Sequence, residues 1–198
     1  ADAVINLAGE NIAAKKWTHH RKHEILSSRI DATCAIVQAI KNVPRKPKTL
    51  LNASAIGYYG SKSDGDITES DPPGKGFLAN VCECWEEAAM RASSAGVRVI
   101  LARFGVVLEK EGGMLARMLR VFRAFLGGPL GTGQQWVSWI HRDDLIEALM
   151  FLLWDDTLSG PVNLTAPVPQ KMDVFCKMLG QIMERTSYLR VPGVVLRM

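Results

Sequence analysis

A chain of 198 residues, 47% hydrophobic and 22% charged, has enough apolar side chains for one core and reads as an ordinary globular protein. Its formal charge of +4 is too mild to mark a nucleic-acid binder, and the densest basic stretch, KNVPRKPK at 41–48, is broken by two prolines and reads as a solvated loop. The longest apolar runs fall well short of the ~18 residues a membrane span needs. Neither nucleic acid nor a membrane is therefore an expected partner.

ADAVINLAG is a short Ala/Val/Ile run stopped at Gly9, the pattern of a buried parallel strand ending in a tight turn. Over 17–41 the residues Ile25, Ile30, Cys34, Ile36, Val37 and Ile40 form a stripe at helical period. TLLNASAI is a second strand, followed by a long polar loop from Gly57 to Gly76. A helix is expected over about 77–94, closed by Gly96. VRVILARFGVVL reads as one third strand. Residues 113–126 are helical and basic, and GGPLGTGQQ is a turn-rich loop that lacks the Lys-Ser/Thr of a phosphate-binding P-loop. The stretch 142–154 is a helix with Asp143 or Asp144 as N-cap, GPVNLTA a short strand, and 171–185 the last clear helix.

Strands alternating with helices predict an α/β fold, a Rossmann-like doubly wound parallel sheet forming a single domain over 1–198. Right-handed crossovers bring the strand C-termini to one edge, where ligands bind. Ala8, Gly9, Ser54 and the run Arg103 to Val107 fall on that edge. The four cysteines, Cys34, Cys82, Cys84 and Cys176, include one lone C-x-C with no second pair. No metal site and no disulfide framework is expected, and a reducing, cytoplasmic compartment fits. Import into an organelle stays open, because a removed transit peptide would lie outside this sequence. No signal peptide is expected from these residues, and the first of them, Ala1, opens straight into a strand. The chain is accordingly expected to be a piece of a longer protein.

NLAG at 6–9 resembles the N-A-G turn of short-chain dehydrogenases/reductases. SAIGYYG at 54–60, ARFGVVL at 102–108 and WIHRDDL at 139–145 are similar, in order and spacing, to segments of the extended, sugar-nucleotide-epimerase branch. With GGPLGTGQQW and GPVNLTAP they resemble the subfamily called "epimerase family protein", sometimes labelled cell-division inhibitor. The resemblance covers nearly the whole chain. It implies that the chain is the C-terminal two-thirds of a Rossmann-type fold, lacking the N-terminal glycine-rich strand-turn-helix that grips a pyrophosphate. It also implies a small substrate-binding part at about 109–140 and 160–198.

Tyr58 and Lys62 are spaced as Tyr-x-x-x-Lys, the catalytic pair of that family, but YYGSKSDGD has two glycines and no apolar stripe and reads as a loop. Catalysis needs the two side chains on one face of a rigid helix. Aligned on Glu86, the family's Tyr and Lys positions hold Leu78 and Cys82. A shift by one gives Phe77 and Val81, and neither register supplies a phenol or an amine. Ser54 is the retained member, which the resemblance implies hydrogen-bonds the reacting oxygen; otherwise it fills a strand end. Tyr58 is the candidate substitute proton donor, with Tyr59 beside it; packing under the loop is the other reading. Cys82 reads as a small buried hydrophobe rather than a nucleophile.

The resemblance places the cofactor against Leu7, Ala8 and Gly9, with Gly9 needed for the tight turn. Arg29, in RIDAT, takes a position that faces the cofactor. Its charge suits a phosphate and favours NADP, with NAD as the other option; a surface helix arginine is the other reading of the residue. Glu24 would hold the ribose or Arg29. Backbone groups of Arg103, Phe104, Gly105 and Val107 would hold the nicotinamide carboxamide; the other reading is a buried strand. His141 reads as a structural histidine beside Asp144, and Trp136 and Trp139 either stack on a ligand or pack in the core. The implied function is an NADP(H)-dependent oxidoreductase of epimerase type acting on an unidentified small molecule, with a homodimer open. The alternative is a non-catalytic nucleotide-cofactor-binding sensor or adaptor.

Overall fold

The computed structural model describes residues 1–61 and 65–189. The expectation about Lys62 thus lies outside the described residues. The chain divides into two compact units, one of Ala1–Phe104 with Glu147–Leu164, the other of Gly105–Ile146 with the residues from Thr165 on.

The first unit is built on a four-stranded parallel sheet. Strand β1 (Ala3–Asn6) pairs with β2 (Thr49–Ala55), β2 with β3 (Arg98–Phe104), and β3 with β7 (Gly160–Leu164). This is the parallel α/β, Rossmann-like arrangement expected. Strand β2 is buried along almost its whole length, as a strand covered on both faces requires. Helix α1 (His19–Asn42) starts where the Thr18 hydroxyl accepts the Arg21 N–H at 3.1 Å, and it gives way to a proline-bearing turn after Val43. Its Val37 and Ile40 join Leu50, Val99 and Leu101 of the sheet, with Ala89 and Ala92, in one core cluster. Leu50, Leu51 and Ile100 are fully buried, each worth about 1.5–3 kcal/mol of transfer from water. Arg98 closes the C-terminal turn of α4 (Arg142–Trp154): its guanidinium donates to the carbonyls of Leu152, Leu153, Asp155 and Leu158 at 2.8–3.2 Å.

The second unit pairs β4 (Val106–Leu108) with β6 (Trp139–His141) in parallel, and β5 (Trp136–Val137) with β8 (Gln170–Lys171) antiparallel. Helices α3 (Gly113–Arg123) and α5 (Met172–Met183) enclose a cluster of Met118, Phe122, Val137, Met172, Cys176 and Leu179.

Three expectations need correction. VRVILARFGVVL is not one strand: it breaks at Gly105, and β4 leaves to pair with β6. A Cβ on Gly105 would stand 2.9 Å from the Ser138 carbonyl oxygen, and Val106 N–H donates to that oxygen at 2.8 Å. The glycine permits that close approach, and an uninterrupted apolar run hides it. The helix expected over about 77–94 changes type at its end: α2 (Phe77–Met90) passes into a 3₁₀ turn over Arg91–Ala95, and Gly96, with φ of +74°, closes it as expected. Asp143 and Asp144 lie inside the first turn of α4 rather than at its N-cap, where their charge still favours the helix N-terminus.

Candidate functional site

Strands β1, β2, β3 and β7 all end on one edge of the first unit, and two buried polar networks occupy it. The first begins at Asn6. Its amide donates to Asn52 Oδ1 at 2.6 Å and to Thr33 Oγ1 at 2.9 Å, while the Trp85 indole N–H donates to the same Thr33 oxygen at 2.9 Å. Asn6, Thr33 and Asn52 are each at most 2% exposed. Apolar residues there would be easier to bury, so every donor must find an acceptor. The network fixes the end of β1, and the chain leaves it through Ala8, whose N–H donates to Asn6 Oδ1 at 3.1 Å.

The second network runs across the ends of β2, β3 and β7. The Ser54 hydroxyl donates to Glu86 Oε1 at 2.6 Å. Arg103 grips the same carboxylate with both arms of its fork, Nε to Oε1 at 2.8 Å and Nη2 to Oε2 at 2.7 Å. Its Nη1 donates to the Tyr59 hydroxyl at 2.7 Å, and that hydroxyl donates to Asn163 Oδ1 at 2.7 Å. Glu86 is 6% and Arg103 3% exposed, so this is a buried, bidentate ion pair. Burial opposes the Arg103 charge, but the hydrogen bonds with Glu86 and Tyr59 outweigh it and raise the guanidinium above its ordinary value. The Tyr58 ring lies against the guanidinium, 3.6 Å from its central carbon, and meets Tyr59 edge to face at 5.4 Å. Burial raises the Tyr58 phenol above its ordinary value, and the neighbouring Arg103 charge partly offsets this.

Each residue singled out from the sequence has a definite place. Leu7, Ala8 and Gly9 are exposed after β1. Gly9 does not adopt a left-handed conformation, so the tight-turn requirement is corrected. A Cβ at Gly9 would instead stand 3.0 Å from the Arg29 guanidinium carbon, so the glycine makes room for that side chain. Arg29 donates to the carbonyls of Ile25 at 2.9 Å and Glu10 at 3.1 Å and lies 5.1 Å from the Trp85 ring. Burial pulls its guanidinium below the ordinary value, and its hydrogen bonds go to carbonyls rather than carboxylates. Such a cation suits an anionic group such as a cofactor phosphate. Glu24 does not hold Arg29: it pairs with Arg21 at 2.9 Å and His20 at 3.1 Å. Arg21 also reaches Glu10 at 2.9 Å and the Asn11 carbonyl at 2.7 Å, tying the loop after β1 to α1.

Arg103 contributes its side chain to the buried network. Val107 is half-buried in β4 of the second unit, registered with Ile140. Trp139 packs against the core cluster of that unit, while Trp136 is exposed, with the Lys171 ammonium 5.4 Å from its ring. His141 is exposed and accepts the Asp143 N–H, so its acidic neighbour is Asp143 rather than Asp144. Burial pushes the Cys82 thiol up to about 11, which leaves it inert at neutral pH. The residue that sequence reasoning used only as an alignment mark is Glu86, the hub of the network. A lone Glu on an otherwise apolar helix face was the available signal.

Residues 1–164 match the model of the NAD dependent epimerase/dehydratase family. The chain belongs to that family. It is 45% identical over 197 residues to the chloroplastic epimerase family protein SDR39U1 homolog of Arabidopsis thaliana, covering 98% of this chain and 56% of that protein. It is 44% identical to an epimerase family protein of Mycobacterium bovis, covering 99% of this chain and 64% of the relative. The chain thus spans less than two-thirds of the length of these relatives. Among solved structures, human epimerase family protein SDR39U1 (isoform 2), solved with NADPH, superposes with a TM-score of 0.94 at 34% identity. That match covers all of this chain and 68% of the human one. Against the epimerase family's Tyr-x-x-x-Lys pattern, Leu78 and Cys82 lie one helical turn apart on α2. Both face Gly57: a Cβ there would stand 3.7 Å from Leu78 Cβ and 3.8 Å from Cys82 Sγ.

Proposed function

We propose that this chain forms the larger part of an NADP(H)-dependent oxidoreductase of epimerase type that acts on a carbonyl or carbinol carbon of a small molecule. The observation that carries this reading is the phenol–guanidinium–carboxylate arrangement of Tyr58, Arg103 and Glu86 at the ligand edge of the sheet. NADPH in the human relative supports the cofactor, and Arg29, which donates to the carbonyls of Ile25 in α1 and Glu10 in the loop after β1, supports the phosphate form. Leu7, Ala8 and Gly9 would offer backbone to the cofactor. Once bound, the reduced nicotinamide supplies a hydride to the carbonyl carbon.

The chain's own contribution is the proton. Tyr58 gives its hydroxyl proton to the carbonyl oxygen as the carbon–oxygen double bond becomes single, and the phenolate recovers a proton from water. A phenol is protonated at neutral pH, as a donor must be, and burial moves Tyr58 further toward that form while Arg103 works against it. Ser54, whose own proton is committed to Glu86, holds that carboxylate in place and offers lone pairs to a substrate hydroxyl. The test is loss of reduced-nicotinamide absorbance with a panel of small carbonyl compounds, native protein against Tyr58→Phe. Turnover that falls by about 10²-fold or more in the variant supports the reading; unchanged turnover removes Tyr58 from the chemistry.

A second reading, a cofactor-binding sensor without catalysis, draws on α2, where neither Leu78 and Cys82 nor Phe77 and Val81 supply a phenol and an amine, and on the burial of Ser54 at 2% exposure. Hydride exchange from labelled cofactor separates the two: an enzyme exchanges, a sensor binds without exchange.

A further inference from the structure

We infer that Arg103, clamped by Glu86, is the positioning cation that fixes the ring of Tyr58 and sets its acidity. This rests on the reading of Tyr58 as proton donor and adds the residue that makes a lone tyrosine serviceable.

The geometry gives Arg103 little freedom. Two of its bonds go to the Glu86 carboxylate, and Nη1 reaches both the Tyr59 hydroxyl at 2.7 Å and the Glu69 carbonyl at 3.3 Å. The guanidinium is therefore a fixed plate at the end of β3, and the Tyr58 ring stacks on it at 3.6 Å. Tyr59 cannot serve the ligand: it is 3% exposed, and its hydroxyl is already engaged on both sides by Arg103 and Asn163. Tyr58 is the half-exposed phenol of the pair. When it gives up its proton, the nascent phenolate faces a permanent positive charge that cannot itself deprotonate, because Arg stays charged. Glu86 has the complementary task. It pairs the buried guanidinium through two bonds that hold the fork against rotation, and Ser54 anchors its Oε1 from the other side. The charged groups acting on Tyr58 are Arg103 of β3 and Glu86 and Glu83 of α2. Arg103 draws the phenol down and the two carboxylates push it up, so the pair is a balance and not a single charge.

The test needs neither cofactor nor substrate. The chain has three tyrosines, so the tyrosinate absorbance titration resolves into few steps, and the difference from Tyr58→Phe isolates the Tyr58 step. Arg103→Gln should move that step up by about one unit or more, as expected when an opposite charge at contact is lost. Arg103→Lys should recover part of the shift, because charge returns without the fork. Glu86→Gln should move the step down. Because Arg103→Gln leaves a buried carboxylate alone, the paired variant Glu86→Gln/Arg103→Gln is titrated as well; it holds no lone buried charge and should also shift upward. A Tyr58 step unchanged in both the single and paired variants overturns the inference. An upward shift in a protein that shows no turnover would keep the pairing and sink the enzyme reading, so the two failures are distinguishable.

Discussion

Thr33→Val is the sharpest test of the network that holds the end of β1. The substitution keeps the shape and removes one hydroxyl oxygen, which accepts both the Trp85 indole N–H and the Asn6 amide at 2.9 Å. Asn6 retains Asn52 Oδ1 at 2.6 Å, so its loss is one ordinary hydrogen bond, about 1 kcal/mol. Trp85 is only 6% exposed, and its N–H would be left without an acceptor, a cost of about 1–3 kcal/mol. The sum is about 3 kcal/mol, and for a chain of this size the melting temperature should fall by about 6–12 °C. Differential scanning calorimetry reads it directly. The same arithmetic predicts coupling: Trp85→Phe removes the stranded donor, so it should cost about 1–2 kcal/mol less in the Thr33→Val background than alone. A single variant within about 0.5 kcal/mol of native, or strictly additive costs, would show that the indole finds another partner and would refute the network argument.

Gly74→Ala should destabilise by about 1–3 kcal/mol in a denaturant titration, because its Cβ would overlap the Tyr59 carbonyl group and backbone must move. A neutral Gly74→Ala would contradict the loop packing beside Tyr58 and Tyr59. Alkylation mapped by mass spectrometry should label Cys34 and Cys84, which are half-buried, well before Cys82 and Cys176, whose thiols burial pushes up to about 11. Equal labelling rates would place Cys82 in contact with solvent. The Glu24 carboxyl is held below its ordinary 4.5, chiefly by its hydrogen bond from Arg21. Its stabilisation is present above that value and is lost as pH falls through the lower folded value. Glu24→Gln should therefore flatten the acid limb of the stability–pH curve; an unchanged limb would remove Glu24 from acid unfolding.

The parallel sheet was legible because its strands are continuous apolar runs separated by helical stripes, and Ala8, Gly9, Ser54 and Arg103 follow as strand-end positions. Two features were not legible, for physical reasons. The break at Gly105 depends on a contact with Ser138, a residue distant in sequence, and nothing local forbids one longer strand. The Glu86–Arg103–Tyr59–Asn163 chain joins residues separated by 17, 44 and 104 positions. Only the folded sheet brings them together, so Glu86 reads as an alignment mark and Arg103 as backbone at a strand end. Glu24 shows the reverse error: proximity in sequence to Arg29 suggested a pair, while one helical turn in the other direction gave it Arg21.

The measurement that bears most directly on the central claim is cofactor affinity by calorimetry, NADPH against NADH. It is made on this chain and on a version extended at its N-terminus by the glycine-rich strand, turn and helix of the family. The account predicts tight binding in the extended protein, tighter for NADPH, with a preference that Arg29→Ala narrows. Failure of the extended protein to bind either cofactor would contradict it and leave the fold as a scaffold.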